Sequence, residues 1–131
     1  MKILIVDADW HFVRQATDYL ESRAHLVVHQ NQVNAAVVQA HRWQPDLVIL
    51  AAELADDRMV NSLRNSLDSP AVLLTEHVDR FDRAWRAWQK CGHELLMKPV
   101  CKSQELQDAI VQAMENAVLG RDARTCVAVP A

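Results

Sequence analysis

The sequence predicts an α/β domain in which helices cover both faces of a doubly wound, five-stranded parallel sheet. Five short runs rich in Val, Ile and Leu recur along the chain, and such continuous apolar runs are typical of strands buried on both faces. Segments with apolar residues at helical spacing separate these runs. Because strand-like and helix-like segments alternate, we expect successive right-handed βαβ units.

Hydrophobic patterning places each element in chain order. The predicted strands are residues 2–6, 25–29, 46–51, 71–75 and 94–97. Apolar side chains three or four residues apart indicate a first helix through Phe12, Val13, Ala16, Tyr19 and Leu20, a second through Val33, Ala36, Val37, Ala40 and Trp43, and a last through Leu106, Ile110, Met114 and Val118. A short third helix is expected near residues 59–65, and a fourth lies within residues 80–91.

Proline and glycine mark several boundaries. Pro45 separates the second helix from the third strand, and Pro99 closes the fifth strand. Gly120 is placed to end the last helix. The residues beyond it show no helical period. We therefore expect one domain over residues 1–119, followed by a flexible C-terminal tail over residues 120–131.

Composition narrows the function classes. The chain has 131 residues, of which 50% are hydrophobic and 24% charged, which is an ordinary balance for a domain with a packed core. A formal net charge of −3 argues against a broad electrostatic grip on nucleic acid. No apolar run is long enough to cross a membrane, and no secretory signal pattern opens the chain. Three cysteines without metal-type spacing fit a reducing compartment, so we expect a cytoplasmic protein.

Four motifs carry a family resemblance. In chain order they are Lys2-Ile3-Leu4-Ile5-Val6-Asp7, Pro45-Asp46-Leu47-Val48-Ile49-Leu50, Val72-Leu73-Leu74-Thr75 and Gly92-His93-Glu94-Leu95-Leu96-Met97-Lys98-Pro99. From about residue 2 to residue 118, their order and spacing resemble the receiver domain of the response regulators of two-component systems. The resemblance implies the flavodoxin-like receiver fold with strand order 2-1-3-4-5.

The same resemblance implies a phosphoryl pocket that is incomplete in this chain. In the family, an acidic pair after the first strand holds magnesium, and an aspartate at the end of the third strand accepts the phosphoryl group. A hydroxyl after the fourth strand and a lysine before proline bind phosphoryl oxygens. Asp7, Thr75 and Lys98 match these positions, whereas Ala8 and Ala51 do not. The sequence is therefore interpreted as a degenerate pseudo-receiver without the phosphoacceptor and without catalytic residues.

Physical chemistry supports this interpretation. An acyl phosphate requires a carboxylate nucleophile, which Ala51 lacks, and magnesium prefers several oxygen ligands, of which only Asp7 remains. We expect no cofactor, and magnesium binding is not expected. Glu53 is either a weak metal ligand with Asp7, a built-in anion mimic, or a solvated loop carboxylate. Lys98 is expected to pair with Asp7 or Glu53, because an unpaired buried ammonium is costly.

The fourth helix predicts a protein-binding surface. Trp85 and Trp88 lie three residues apart beside a face of small residues, and two such large side chains exceed what one helix edge easily buries. The resemblance implies that helix 4, strand 5 and helix 5 bind partners, with Trp85, Leu95 and Met97 on that surface. Leu95 replaces the aromatic switch residue usual in the family. We expect a protein partner there, with a homodimer as one possibility.

The sequence disfavours several other functions. The two glycines do not follow the first strand, which excludes a Rossmann fingerprint and a P-loop, and the acids of Asp7-Ala8-Asp9 disfavour a flavin phosphate. Arg83, Arg86 and Lys90 share one helical face, so a nucleic-acid-binding regulator is one alternative, although a solvated face is the commoner explanation. Phosphorylation at an unusual acceptor is another. The sequence favours a non-enzymatic signalling module that acts through protein contacts.

Overall fold

A computed structural model describes residues 1–65 and 69–120 of the chain. The strands are β1 (Lys2–Val6), β2 (Leu26–Gln30), β3 (Leu47–Ala51), β4 (Ala71–His77) and β5 (Glu94–Lys98). The helices are α1 (Trp10–Ser22), α2 (Val33–Trp43), α3 (Asp57–Arg64), α4 (Phe81–Lys90) and α5 (Ser103–Val118), and short 3₁₀ turns cover Ala52–Leu54 and Val78–Arg80. Residues 121–131, which make up nearly all of the predicted tail, lie outside the described residues.

The five strands form one parallel sheet in the order β2-β1-β3-β4-β5. This arrangement confirms both the predicted fold class and the predicted strand order. The largest differences in element bounds are at β4, which continues two residues past the expected end to His77, and at α3, which begins two residues early at Asp57. The Asp56 side chain accepts a hydrogen bond from the Met59 backbone and so supplies an N-cap that the apolar period could not indicate.

Two apolar layers hold the helices on the sheet. Alternate side chains of the central strands point to opposite faces, so that Ile3 and Ile5 pack with α1 and α5, whereas Leu4 and Val6 pack with α2, α3 and α4. The small residues of α4 are buried against the second layer, as their spacing predicted. Cys91 also packs there, and burial raises the pKa of its thiol to about 11.

The start of α1 fixes the geometry near the carboxyl end of β1. Asp9 is the N-cap residue, and its Oδ1 accepts a hydrogen bond from the Phe12 backbone N–H at 3.2 Å. Because only Asp7, Ala8 and Asp9 separate β1 from α1, the two carboxylates are held close to this edge of the sheet. Within the described ranges, none of the helices combines the length and the apolar character that a membrane-spanning segment needs.

Candidate functional site

The carboxyl ends of the strands bring the predicted pocket residues together. Asp7 directly follows β1, Ala51 is the last residue of β3, and Lys98 is the last residue of β5. Thr75 lies in β4 directly opposite Ala51 in the parallel register. Ala51 is only 3% exposed, so a buried methyl group occupies the position where the resemblance places the acceptor. Ala8, in the loop after β1, is exposed.

Asp7 is the centre of a buried hydrogen-bond network. Its side chain is fully buried, and its Oδ2 accepts hydrogen bonds from Lys98 Nζ at 2.7 Å and from Thr75 Oγ1 at 3.3 Å. Its Oδ1 accepts from the Asp9 backbone N–H at 2.9 Å. Three of the residues that match the family pattern thus satisfy one another. The predicted pairing of Lys98 with Asp7 is confirmed.

Asp9 is a second carboxylate in this network, and the sequence reasoning missed it. Its Oδ2 lies 3.3 Å from Lys98 Nζ and 3.7 Å from His77 Nε2. Burial raises the pKa of this carboxyl group, but the hydrogen bond from Phe12 and the charge of Lys98 outweigh burial and hold the pKa below its usual value. The sequence did contain a signal for this role, because Asp9 is an acidic residue at the first position after β1 that could cap a helix.

Lys98 is enclosed on several sides. Only 5% of the residue is exposed, and Nζ lies 4.7 Å from the centroid of the Phe12 ring, in cation–π range. With two carboxylates and one aromatic face around it, the ammonium is already paired within the protein. An incoming phosphoryl group would have to compete with Asp7 for this cation.

Glu53 lies away from this network. Its carboxylate is exposed, and its Oε2 lies 4.0 Å from Arg83 Nη2, whereas Lys98 pairs with the two aspartates instead. The described residues contain no group of three or more His, Cys, Asp or Glu side chains arranged to hold a metal ion. This arrangement gives no support to Glu53 as a mimic of an anion beside Lys98.

Glu76 is the other residue that sequence reasoning missed. It directly follows Thr75 in β4 and is only 5% exposed, although carboxylates are rarely buried unless they are paired. Its Oε2 accepts from Arg83 Nε at 2.5 Å, and its Oε1 accepts from the His77 backbone N–H at 2.9 Å. Burial raises the pKa of Glu76, but the hydrogen bonds from Arg83 and His77 and the charges of Arg83 and Lys98 together lower it by more, so that the net pKa is below its usual value. The sequence did contain a signal for this role, because Glu76 is a single carboxylate directly after the apolar run of β4.

The predicted partner surface is only partly open. Trp85 is half-buried, and its ring lies 5.4 Å from the Trp88 ring at an interplanar angle of 79°, which is an edge-to-face pair. Leu95 is half-buried against the α2–α4 side of the core, and Met97 is half-buried in β5. Phe81, one turn before Trp85, is 56% exposed and extends this apolar surface toward the start of α4.

The basic face of α4 is largely neutralised within the domain. Arg83 is bound by Glu76, and Arg86 Nη2 lies 3.1 Å from Asp82 Oδ2 at an exposed i,i+4 pair. Of the three basic residues that share this face, Arg83 and Arg86 are therefore already paired with carboxylates of the same domain.

Comparisons with known proteins support the fold. The sequence matches no protein-family model and no curated protein. Solved structures do match. NtrX from Brucella abortus in complex with ADP superposes with a TM-score of 0.79 at 18% identity, over 91% of this chain and 27% of that protein.

Two shorter proteins match over most of their own length. A response regulator receiver domain protein from Clostridium thermocellum has a TM-score of 0.73 at 21% identity, covering 90% of this chain and 97% of that one. A response regulator signal receiver domain from Bermanella marisrubri has a TM-score of 0.73 at 20% identity, covering 86% and 96%. At these identities the likeness establishes that the chain has the receiver fold.

Proposed function

We propose that this protein is a phosphorylation-independent response regulator receiver domain that signals through protein contacts, without catalysis of its own and without a cofactor. The observation that carries the proposal is the buried pair between Lys98 and Asp7, at 2.7 Å, beside Ala51. The cation that the resemblance assigns to the phosphoryl group is already neutralised by the protein. The position of the acceptor carries no nucleophile.

The remaining carboxylates near the pocket are poorly placed to replace the acceptor. Asp7 is fully buried and accepts three hydrogen bonds, so its oxygens are committed to stabilising the fold. Asp9 is partly exposed but caps α1 and contacts Lys98. A phosphoryl group on either residue would disrupt these contacts. Phosphorylation at an unusual acceptor is therefore the less favoured alternative.

Incubation with acetyl phosphate and magnesium is expected to leave the intact mass of the protein unchanged. The reason is the absence of a reactive carboxylate at Ala51 and of a second acidic residue at Ala8. Ala51→Asp alone is expected to restore no efficient transfer, because the second acidic position would still be missing. A stoichiometric adduct of the unaltered chain that disappears in hydroxylamine would instead show that another carboxylate is phosphorylated.

The surface of α4, β5 and α5 is the proposed contact site. Aromatic side chains are enriched in interface cores, and arginine is enriched near them, which is the composition around Trp85. Charge favours a second copy of this domain as one occupant. With Arg83 paired to Glu76 and Arg86 paired to Asp82, Lys90 supplies most of the positive charge that α4 offers to a partner. α5 carries Glu105, Asp108 and Glu115 without a basic residue. A two-fold arrangement could place each α4 against the partner's α5.

Trp85→Ala is expected to weaken association by ~2 kcal/mol or more if Trp85 is the anchor of this surface. Analytical ultracentrifugation measures self-association, and pull-down with the purified domain measures capture of other proteins. Trp10→Ala is the matched control, because Trp10 is 68% exposed on α1 and lies outside the proposed surface. Circular dichroism confirms that both variants remain folded. Equal binding by the wild type and the Trp85 variant would assign Trp85 to packing alone.

Nucleic-acid binding by α4 is the second alternative. The hypothesis is weakened because Arg83 and Arg86 already pair with acidic residues of the same domain. Both cations would have to leave these partners in order to bind phosphates. A binding affinity that falls steeply with added salt would favour the alternative.

A further inference from the structure

Arg83 lies where three elements of the fold meet. It is the third residue of α4, and its Nε donates to Glu76 Oε2 in β4 at 2.5 Å. Its Nη2 lies 4.0 Å from Glu53 Oε2 in the 3₁₀ turn that follows β3. One guanidinium thus connects the first turn of α4 to the carboxyl ends of two adjacent strands.

The contact with Glu76 is the strong part of this arrangement. Glu76 is 5% exposed, and its other oxygen accepts the His77 backbone N–H, so that its carboxylate is held by charge-assisted hydrogen bonds on both sides. The contact with Glu53 is weaker, because both side chains are more than one third exposed and the atoms are 4.0 Å apart. Arg83 therefore orients α4 mainly through β4.

The start of α4 has few other restraints of this kind. Its N-cap residue, Arg80, makes no side-chain capping hydrogen bond, whereas α1 and α3 are capped by Asp9 and Asp56. α4 is also only 10 residues long, a length at which a helix depends on tertiary contacts for its stability. An internal ion pair at its third residue supplies such a contact.

We propose that Glu76 and Arg83, with a weaker contribution from Glu53, form an internal clamp that holds the start of α4 against the carboxyl end of β4. This clamp keeps the surface around Trp85 in one orientation without a phosphoryl group. This inference rests on the proposed function, because it explains how a constitutive partner surface is maintained. Arg83 is a positioning residue in this scheme. It lies two residues before Trp85 and acts through the orientation of α4.

Hydrogen exchange measured by mass spectrometry tests the clamp on the full chain. Arg83→Met and Glu76→Gln are each expected to accelerate exchange of the α4 amides by roughly tenfold, with the amides of β1 unchanged. Arg86→Met is the matched control, because it removes another arginine of α4 whose partner, Asp82, is exposed. The control is expected to change α4 exchange by less than about threefold.

The double variant, with both Glu76→Gln and Arg83→Met, separates a clamp from two independent contacts. If the two residues act on α4 through each other, the double variant exchanges little faster than either single variant. Additive acceleration, no acceleration, or equal acceleration in α4 and β1 would each overturn the proposal. Where Arg83→Met does not fold, Glu76→Gln compared with Arg86→Met decides the result.

This experiment requires no partner protein and no phosphate donor. If the α4 amides of the Glu76 and Arg83 variants exchange at the wild-type rate, the clamp is rejected. The conclusions from the acetyl phosphate and Trp85 experiments would still stand. Conversely, phosphorylation of the unaltered chain would reject the proposed function while the exchange data would still report on the clamp.

Discussion

Replacing Asp7 with asparagine is expected to lower the free energy of unfolding by roughly 3–5 kcal/mol, the usual cost of removing one partner of a buried ion pair. Lys98 would retain its charge at 5% exposure and would lose its 2.7 Å contact. Asp9, whose carboxylate lies 3.3 Å from the ammonium, would still pair with Lys98 and places the expected loss toward the lower end of this range. Urea denaturation followed by circular dichroism measures the change.

An exposed ion pair provides the control. Asp82→Asn removes the partner of Arg86, and both side chains are more than 70% exposed, so the change should stay within about 0.5 kcal/mol. The double variant Asp7→Asn, Lys98→Met should recover much of the lost stability, because it removes the isolated charge. A loss below about 1 kcal/mol for Asp7→Asn would indicate that Lys98 reaches water easily and that the pair does not close the pocket.

The apolar pattern together with the family resemblance predicted where the pocket forms. Continuous apolar runs predict parallel strands whose carboxyl ends meet at one edge of a sheet. The strand order and the grouping of Asp7, Thr75 and Lys98 in one pocket came from the resemblance to receiver domains, since periodicity does not determine which strands are adjacent. The pairing of Lys98 with an acid followed from the cost of an isolated buried charge.

The direction of individual side chains was harder to predict. Glu53 was left open as a weak metal ligand, an anion mimic or a solvated carboxylate, and the 3₁₀ turn after β3 places it exposed beside Arg83 on α4. Asp9 and Glu76 enter the charge network because α1 begins immediately after the loop and because β4 continues past Thr75. A difference of two residues in a strand end decides whether a carboxylate is buried or solvated, and periodicity does not define strand ends to that accuracy.

Gly92→Ala is expected to have the second large effect, lowering the free energy of unfolding by roughly 2–4 kcal/mol through backbone strain and overpacking. Gly92 has a φ of +114°, outside the range that alanine readily adopts. A Cβ there would lie 2.7 Å from Leu74 Cδ1 and 3.2 Å from Trp88 Cδ1. Leu74 is fully buried, so its side chain has little room to move away.

Gly120→Ala is a control that lacks both the close contact and the more strained φ of Gly92. Gly120 also has a positive φ, +69°, but no atom lies within 4 Å of a Cβ built there, so its substitution should cost only about 1 kcal/mol. Gly92 lies between α4 and β5 and next to the Trp88 ring. Gly92→Ala should therefore also change the near-ultraviolet circular dichroism of the tryptophans, whereas Gly120→Ala should not. Equal losses of stability in the two variants would show that the contact with Leu74 relaxes freely and that the junction beneath the proposed partner surface is not tightly packed.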